Sequence, residues 1–330
     1  MSAPRSATPV SVIMPVLDRA PFVRASVESV LATGYPALEI VVVDDGSTDG
    51  TGPILEDLRT RNAPVIRVLR HPGGRNAGPW ASRNLALAEA TGAYICFLDS
   101  DDLMLPHRFQ RAVPLLDEDP ALDGVIEVAE LVFDDEEARQ RWGRRALRYG
   151  PRVASIPADG FLAACLLDRI CSMHTSNILV RARLFERAGV FRQRQRSEDF
   201  HLWLRLAACG RFAVGGTQRP VTLYRRHAGN IWIPDPLDSV RDAAVLGEAL
   251  AWARRSRHVS RSNRAVLRRA YRNKLRWCVR MLHAADRKRA LRFVAGVLVR
   301  GHRRALDARL VVDLARLFLR SPRRGAVETP

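Results

Sequence analysis

Glu39-Ile40-Val41-Val42-Val43-Asp44 is the stretch that most constrains this chain: an unbroken apolar, β-branched run that ends in acid. Such a run offers water no polar face, so it predicts a strand covered on both sides. Val10-Ser11-Val12-Ile13-Met14-Pro15, Val65-Ile66-Arg67-Val68-Leu69 and residues 94–98 are further strand-like runs. Between them, residues 22–31 place Phe22, Val23, Val27, Val30 and Leu31 at helical spacing. Residues 80–90 read as a second helix, ended by Thr91-Gly92. This alternation predicts the α/β class: a mostly parallel, Rossmann-like sheet flanked by helices. In such sheets functional groups gather beyond the carboxyl ends of the strands.

Those strand ends are polar. Pro15 and Asp18 follow the first run, Asp44-Asp45-Gly46-Ser47-Thr48-Asp49 the second, and Asp99-Ser100-Asp101 the run at 94–98. Asp, Gly and Ser favour turns for local reasons. Three such ends on one rim predict a shared site. On an extended chain Asp99 and Asp101 share a face, while Ser100 and Asp102 point away, so Asp102 is expected as a turn or capping residue. Two close carboxylates repel each other unless a cation compensates. A divalent metal, Mn²⁺ or Mg²⁺, removes that cost. Mg²⁺ in particular needs few protein carboxylates and completes its shell with water and substrate phosphate.

The middle third is less regular. Residues 124–133 and 176–180 are expected strands, 134–148 a solvated excursion, and 181–188 and 198–208 helices ended by Gly189 and Gly210. Residues 221–224 are the last expected strand. Cys96, Cys165, Cys171, Cys209 and Cys278 show no CxxC and no metal spacing, so free thiols in a reducing compartment are expected. No apolar leader follows Arg5 and no apolar run reaches spanning length, so neither a signal peptide nor a transmembrane helix is expected.

Four segments carry a family resemblance: "VSVIMPVLDRAPFVRASVESVLATGYPALEIVVVDDGSTDGT", "ASRNLALAEATGAYICFLDSDDLMLP", "RSEDFHLWLRLA" and the closing "YRRHAGN". In this order they resemble family 2 glycosyltransferases of the GT-A fold, over about residues 9–230. The resemblance implies a nucleotide-diphospho-sugar donor, a divalent metal, and transfer to an acceptor hydroxyl with inversion. It implies that Pro15 lies beside the base, that Asp45 contacts the base with Asp44 adjacent, and that Asp99 lies near ribose and metal. Asp101 matches the metal ligand facing the diphosphate, and Asp199 the catalytic base. A base distinct from the metal ligands suits the chemistry, and a helix N-terminus is expected to keep Asp199 ionised. Arg83 or Arg75 could meet phosphate, His227 could approach the metal, and Trp203 could line the acceptor pocket or pack in the core. Asp18 stands where many relatives carry Asn, and "HPGGRNAGPWASRN" is richer in Gly and Pro than usual.

The net charge of +18 is unevenly placed. Residues 241–330 hold 24 Lys/Arg against 6 Asp/Glu, and the first 240 hold 29 of each. The expected organisation is a flexible N-terminus (1–8), a GT-A catalytic domain (9–235) and a basic helical region (236–330). Residues 261–282 place Leu267, Tyr271, Leu275, Cys278 and Leu282 on one helical face and Arg268, Arg272, Arg276 and Arg280 opposite. Residues 291–300 and 310–319 repeat the pattern. Such helices suit either an anionic membrane surface or a packed hairpin with solvated arginines. The first use would place the enzyme in the cytoplasm, on the inner face of the membrane, acting on a glycan or lipid-linked acceptor. The tail could also bind nucleic acid through its charge alone, but no nucleic-acid recognition motif is present, and no such function is expected. A catalytically silent sugar-nucleotide or membrane-surface module on the same fold is the alternative. A nucleotidyltransferase would need a glycine- and basic-rich loop where Pro15-Val16-Leu17-Asp18 stands.

Overall fold

The computed structural model describes residues 7–142, 148–194, 196–227 and 238–285. Asn230 and the basic stretches at 291–300 and 310–319 lie outside the described residues. Four parallel strands form the frame: β1 (Val10–Val16), β2 (Leu38–Asp44), β3 (Ile66–Arg70) and β4 (Tyr94–Phe97). Helices α1 (Val23–Leu31), α2 (Thr51–Arg61) and α3 (Pro79–Glu89) connect them. Val10, Val12, Met14 and Val16 of β1 share a buried layer with Val23, Val27 and Val30 of α1 and Leu55 and Leu58 of α2. The alternate residues Ile13, Val41 and Val43 are buried as well, and α3 packs on β1 and β2 with its small residues Ser82 and Ala86 buried. Burial on both faces is why these strands read as continuous apolar runs. Each fully buried aliphatic side chain contributes about 1.5–3 kcal/mol.

Residues 124–133 form two strands rather than the single one expected. After β5 (Leu103–Met104) and α4 (Ala112–Glu118), β6 (Gly124–Ile126) joins the large sheet and β7 (Val128–Phe133) a second, smaller one. Glu127 marks the break, where its buried carboxylate meets Arg108 at 2.5 Å. The rest of the unit is α5 (Glu136–Trp142), β8 (Arg148–Tyr149), α6 (Phe161–Leu166), β9 (Ile178–Arg181), α7 (Leu184–Ala188), α8 (Glu198–Cys209), β10 (Phe212–Val214) and β11 (Pro220–Arg226). The large sheet runs β10-β6-β9-β4-β1-β2-β3, with β9 antiparallel to both neighbours, and the small sheet runs β5-β11-β7-β8. The expected strand at 176–180 begins instead as a turn of 3₁₀ helix, Thr175–Asn177.

The described residues fall into two compact units, one within 1–233 and the other within 234–330. In the second, α9 (Asp238–Arg255) and α10 (Arg261–Ala285) form an antiparallel hairpin. Leu267, Tyr271, Leu275 and Cys278 are buried as α10 packs on α9, and Lys274 meets Asp242 at 2.9 Å. The apolar face of α10 is therefore buried, while Arg268 and Arg280 stay exposed. Among the described residues, no helix is long and apolar enough to cross a membrane.

Candidate active site

Register brings the strand ends together. Val16 pairs with Asp44 and Ile13 with Phe97, so β1, β2 and β4 deliver their loops to one rim. Hydrogen bonds tie the first two loops to each other. Asp18, at φ 48°, accepts the Thr48 N–H at 2.7 Å, and its own N–H donates to Ser47 Oγ at 3.0 Å. The Arg19 N–H donates to Thr51 Oγ1 at 2.8 Å. Asp44 is buried, accepts the Ser47 N–H at 3.0 Å and pairs with Arg70 at 3.2 Å. Asp45 is buried too, and its two oxygens accept the Ala77 and Gly78 N–H groups at 2.7 and 2.9 Å. That places a carboxylate at the start of α3, where the helix dipole favours negative charge. It also holds the 71–78 loop against Gly46. There φ is +87°, and an added Cβ would meet the Gly74 carbonyl oxygen at 2.8 Å, so glycine is required. Pro15 sits half-exposed on the same rim, opposite Val43.

The third strand end is not extended. The Asp102 N–H donates to the Asp99 carbonyl at 3.0 Å and closes a turn. Contrary to the expectation from their spacing, Asp99 and Asp101 therefore do not share a strand face. Asp99 meets Arg83 Nη2 at 2.8 Å. Asp101 turns to a different set, with Oδ2 3.3 Å from His227 Nε2 and 3.4 Å from Arg19 Nε. Burial raises the Asp101 pKa, but the His227 hydrogen bond and the Arg19 charge outweigh it and hold the group below the usual carboxylate range. Asp102 is fully buried, contrary to its expected role as a turn or capping residue. Its Oδ1 accepts the Arg225 N–H at 3.0 Å, and Oδ2 lies 3.5 Å from Ser176 Oγ. Burial, followed by the charges of Asp101 and Asp99, pushes its pKa well up.

Strand pairing explains this corner. Leu223 of β11 lies opposite Leu103 of β5, so the residues that follow, through His227, run beside Asp102 and Asp101. Phe22 braces them, stacking on His227 at 4.2 Å with the Arg225 guanidinium 5.1 Å from its ring. The pairing of two residues of β5 with β11 has no counterpart in local sequence pattern, and neither Phe22 nor Arg19 is legible as part of the site.

Asp199 arrives from the opposite side. Ser197, at φ 61°, turns the chain into α8, whose first two residues are Glu198 and Asp199. Glu198 accepts from Arg83 Nη1 at 3.0 Å while Arg83 Nη2 holds Asp99. One buried guanidinium thus spans the start of α8 and the acidic turn. Burial lowers the Arg83 pKa, but the charges of Asp99, Glu198 and Asp199 more than reverse that and raise it. Arg75, by contrast, is exposed on the 71–78 loop. Glu198 was missed as a site residue; the acidic pair opening an apolar helix was its available signal. Arg83→Ala leaves Asp99 and Glu198 without this cation, and loss of a buried pair costs about 3–5 kcal/mol. Urea denaturation of the variant should show an unfolding free energy lowered by about that amount, read as a lower midpoint.

Asp199 is partly buried, and its Oδ1 accepts the Phe200 N–H at 2.7 Å. Its pKa is raised, first by burial and then by the charge of Glu198, with Arg83 opposing only in part. The N-terminus of α8 favours the ionised form of Asp199, while desolvation and Glu198 oppose it and raise the pKa. Trp203 is buried in the core, with its ring centroid 5.6 Å from that of Phe97 and 6.0 Å from that of Phe191.

Among the described residues, no three His, Cys, Asp or Glu side chains converge as a metal cage. Asp101 and His227 do meet, and Asp99 belongs to the same turn. One or two protein donors suffice for a cation that draws its remaining oxygens from water and phosphate, and this donor set fits Mn²⁺ or Mg²⁺.

Comparison with known proteins agrees with this architecture. The model for glycosyl transferase family 2 matches residues 11–187. A putative glycosyltransferase of Bacillus subtilis, EpsE, is 31% identical over 59% of this chain and 66% of its own length. An uncharacterized glycosyltransferase of Rickettsia felis is 28% identical over 69% of this chain, which spans only 35% of that relative. Among solved structures, S. aureus TarS 1–349 superposes with a TM-score of 0.63 at 19% identity, covering 84% of this chain and 75% of that one. The mannosyltransferase PcManGT of Pyrobaculum calidifontis, in complex with GDP-Man and Mn²⁺, gives 0.54 at 21% identity, covering 96% and 82%. The matched region holds all three acidic strand ends of this α/β sheet, the fold is GT-A, and the chain belongs to glycosyl transferase family 2.

Proposed function

We propose that this protein is an inverting, metal-dependent glycosyltransferase. It moves a sugar from a nucleotide-diphospho-sugar to a hydroxyl of a glycan or lipid-linked acceptor, with Asp199 as the base. The observation that carries this is the setting of Asp199: a partly buried carboxylate with a raised pKa, adjoining Glu198, which Arg83 ties to the acidic turn at Asp99. A raised pKa brings a carboxylate closer to the operating pH, where a general base works best. Inversion follows from a single displacement. Asp199 takes the acceptor proton as the acceptor oxygen bonds the anomeric carbon, and the bond to the diphosphate oxygen breaks on the opposite face.

The nucleotide would lie along the rim formed by Pro15, Asp44 and Asp45, with Arg75 on the neighbouring loop. TarS 1–349 has been solved with UDP-GlcNAc and PcManGT with GDP-Man and Mn²⁺, which supports the donor class. Asp101, Asp99 and His227 would hold the divalent cation, which when bound supplies charge neutralisation for the leaving diphosphate. Arg19 and Arg83 fix the carboxylates of Asp101 and Asp99. Peripheral attachment to the inner face of the membrane would rest on exposed arginines of the second unit, such as Arg261, Arg268, Arg269 and Arg280, since the apolar face of α10 is covered.

A screen of nucleotide sugars with Mn²⁺ tests the proposal by following nucleoside diphosphate release. At least one donor should turn over. Release from none of them, with or without candidate acceptors, would refute it.

A further inference from the structure

Three aromatic rings from segments far apart in sequence meet beside the acidic rim. Tyr149 of β8 stacks on His174 with centroids 5.1 Å apart, His174 lies 4.2 Å from Tyr224 of β11, and Tyr224 lies 6.0 Å from Tyr149. All three are half-buried, so each keeps part of its surface outside the core. Ser176, whose Oγ lies 3.0 Å from His174 Nδ1, also lies 3.5 Å from Asp102 Oδ2, and Arg225, which follows Tyr224, donates its N–H to Asp102 at 3.0 Å, which places the cluster next to the acidic turn. The charges of Asp99 and Asp199 also act on His174. Arg226 backs Tyr224, with its guanidinium 4.1 Å from the ring centre.

His174 is held in one orientation. Its backbone N–H donates to Asn177 Oδ1 at 2.9 Å. Its Nδ1 accepts the Ser176 N–H at 3.4 Å and lies 3.0 Å from Ser176 Oγ. A neutral imidazole whose Nδ1 accepts carries its proton on Nε2. Burial, with Arg226 and Arg83 adding to it against Asp99 and Asp199, lowers the His174 pKa and keeps the ring neutral near pH 7. Among the described residues Nε2 has no hydrogen-bond partner. A fixed N–H donor at the edge of an aromatic surface matches one ligand chemistry closely. A pyranose ring presents a C–H face to aromatic π-electrons and hydroxyl oxygens around its edge. A simple alcohol has no such face.

We propose that Tyr149, His174 and Tyr224 form the acceptor subsite, and that the group bound there is a pyranose ring. His174 Nε2–H donates to one of its hydroxyl oxygens, and the aromatic rings carry its C–H face. The assignment rests on Asp199 as the base, because it sets the acceptor beside that carboxylate.

The test uses methyl α- and β-glycosides of glucose, galactose, mannose and N-acetylglucosamine as probes, with saturation-transfer NMR on the full chain. At least one glycoside should receive saturation on its ring protons from the unaltered protein. That signal should fall at least about five-fold in Tyr149→Ala and in His174→Ala. His174→Gln, which keeps an N–H donor, should recover part of it; a purely structural histidine would show no such recovery. Thermal melts establish that each variant is folded, and if Tyr149→Ala is not, the His174→Ala and His174→Gln pair decides. Equal signals across the folded variants would overturn the proposal, as would the absence of binding by every glycoside. Donor turnover to water by the unaltered protein, followed separately without any glycoside, reports on the transferase assignment. The two failures are therefore distinguishable.

Discussion

Asp199→Asn is expected to lower sugar transfer by about 10²–10⁴-fold, the range a general base supplies, while nucleoside diphosphate still binds. Calorimetric titration of the variant with nucleotide and Mn²⁺ checks the second half, and full retention of transfer would remove Asp199 from the mechanism. The same substitution should also stabilise the protein. Asp199 has a raised pKa, so the folded state favours its protonated form. The stability this group contributes is complete below the unfolded pKa and is lost as pH rises through the folded one. The ionised carboxylate is held against burial and against Glu198, and Asn carries no charge to bury. A variant that is inactive yet melts at higher temperature is the signature of a strained catalytic group, and a misfolded variant would melt lower. The acid limb of kcat/KM tests the same feature. The base works only when deprotonated, so the rate should fall as pH drops through a value above the ordinary aspartate range near 3.9.

Asp101→Asn should fail differently. If Asp101 holds the cation at the diphosphate, its loss removes several kcal/mol of charge stabilisation, or about 100- to 1,000-fold in rate. Metal-dependent binding of nucleoside diphosphate should weaken together with the rate, whereas Asp199→Asn loses rate alone. Calorimetry with and without Mn²⁺ separates the two cases. Unchanged nucleotide affinity in Asp101→Asn would place the cation elsewhere. Between them the two substitutions assign one carboxylate to the leaving group and the other to the acceptor.

How much of this was legible beforehand follows from the range of the forces involved. β1, β2 and β4 announce themselves because strands covered on both faces must be apolar throughout, and their acidic ends follow from where parallel strands deliver their loops. Asp199 was found through the resemblance carried by "RSEDFHLWLRLA", and chemical need supported it, since metal-bound carboxylates make poor bases. The errors came where period-2 reasoning was applied past the end of a strand. Residues 99–102 form a turn, so Asp99 and Asp101 go to different partners and Asp102 goes into the interior. The continuous apolar pattern of 124–133 concealed a change of sheet at Glu127.

The sequence by itself determined the α/β class, the order of the strands along the chain, and the residue types at the rim. Hydrophobic pattern and turn chemistry are local, and they act over a few residues. Which carboxylate is lowered, which is raised and which is buried was decided only in the tertiary structure. Asp101 depends on Arg19 and His227, Asp199 on Glu198 and Arg83, and Asp102 on the pairing of β11 with β5. Tyr149, His174 and Tyr224 likewise become neighbours only when the small sheet closes beside the acidic rim. Desolvation and charge act through space, between residues up to more than a hundred positions apart, and no periodicity in one chain encodes such pairs.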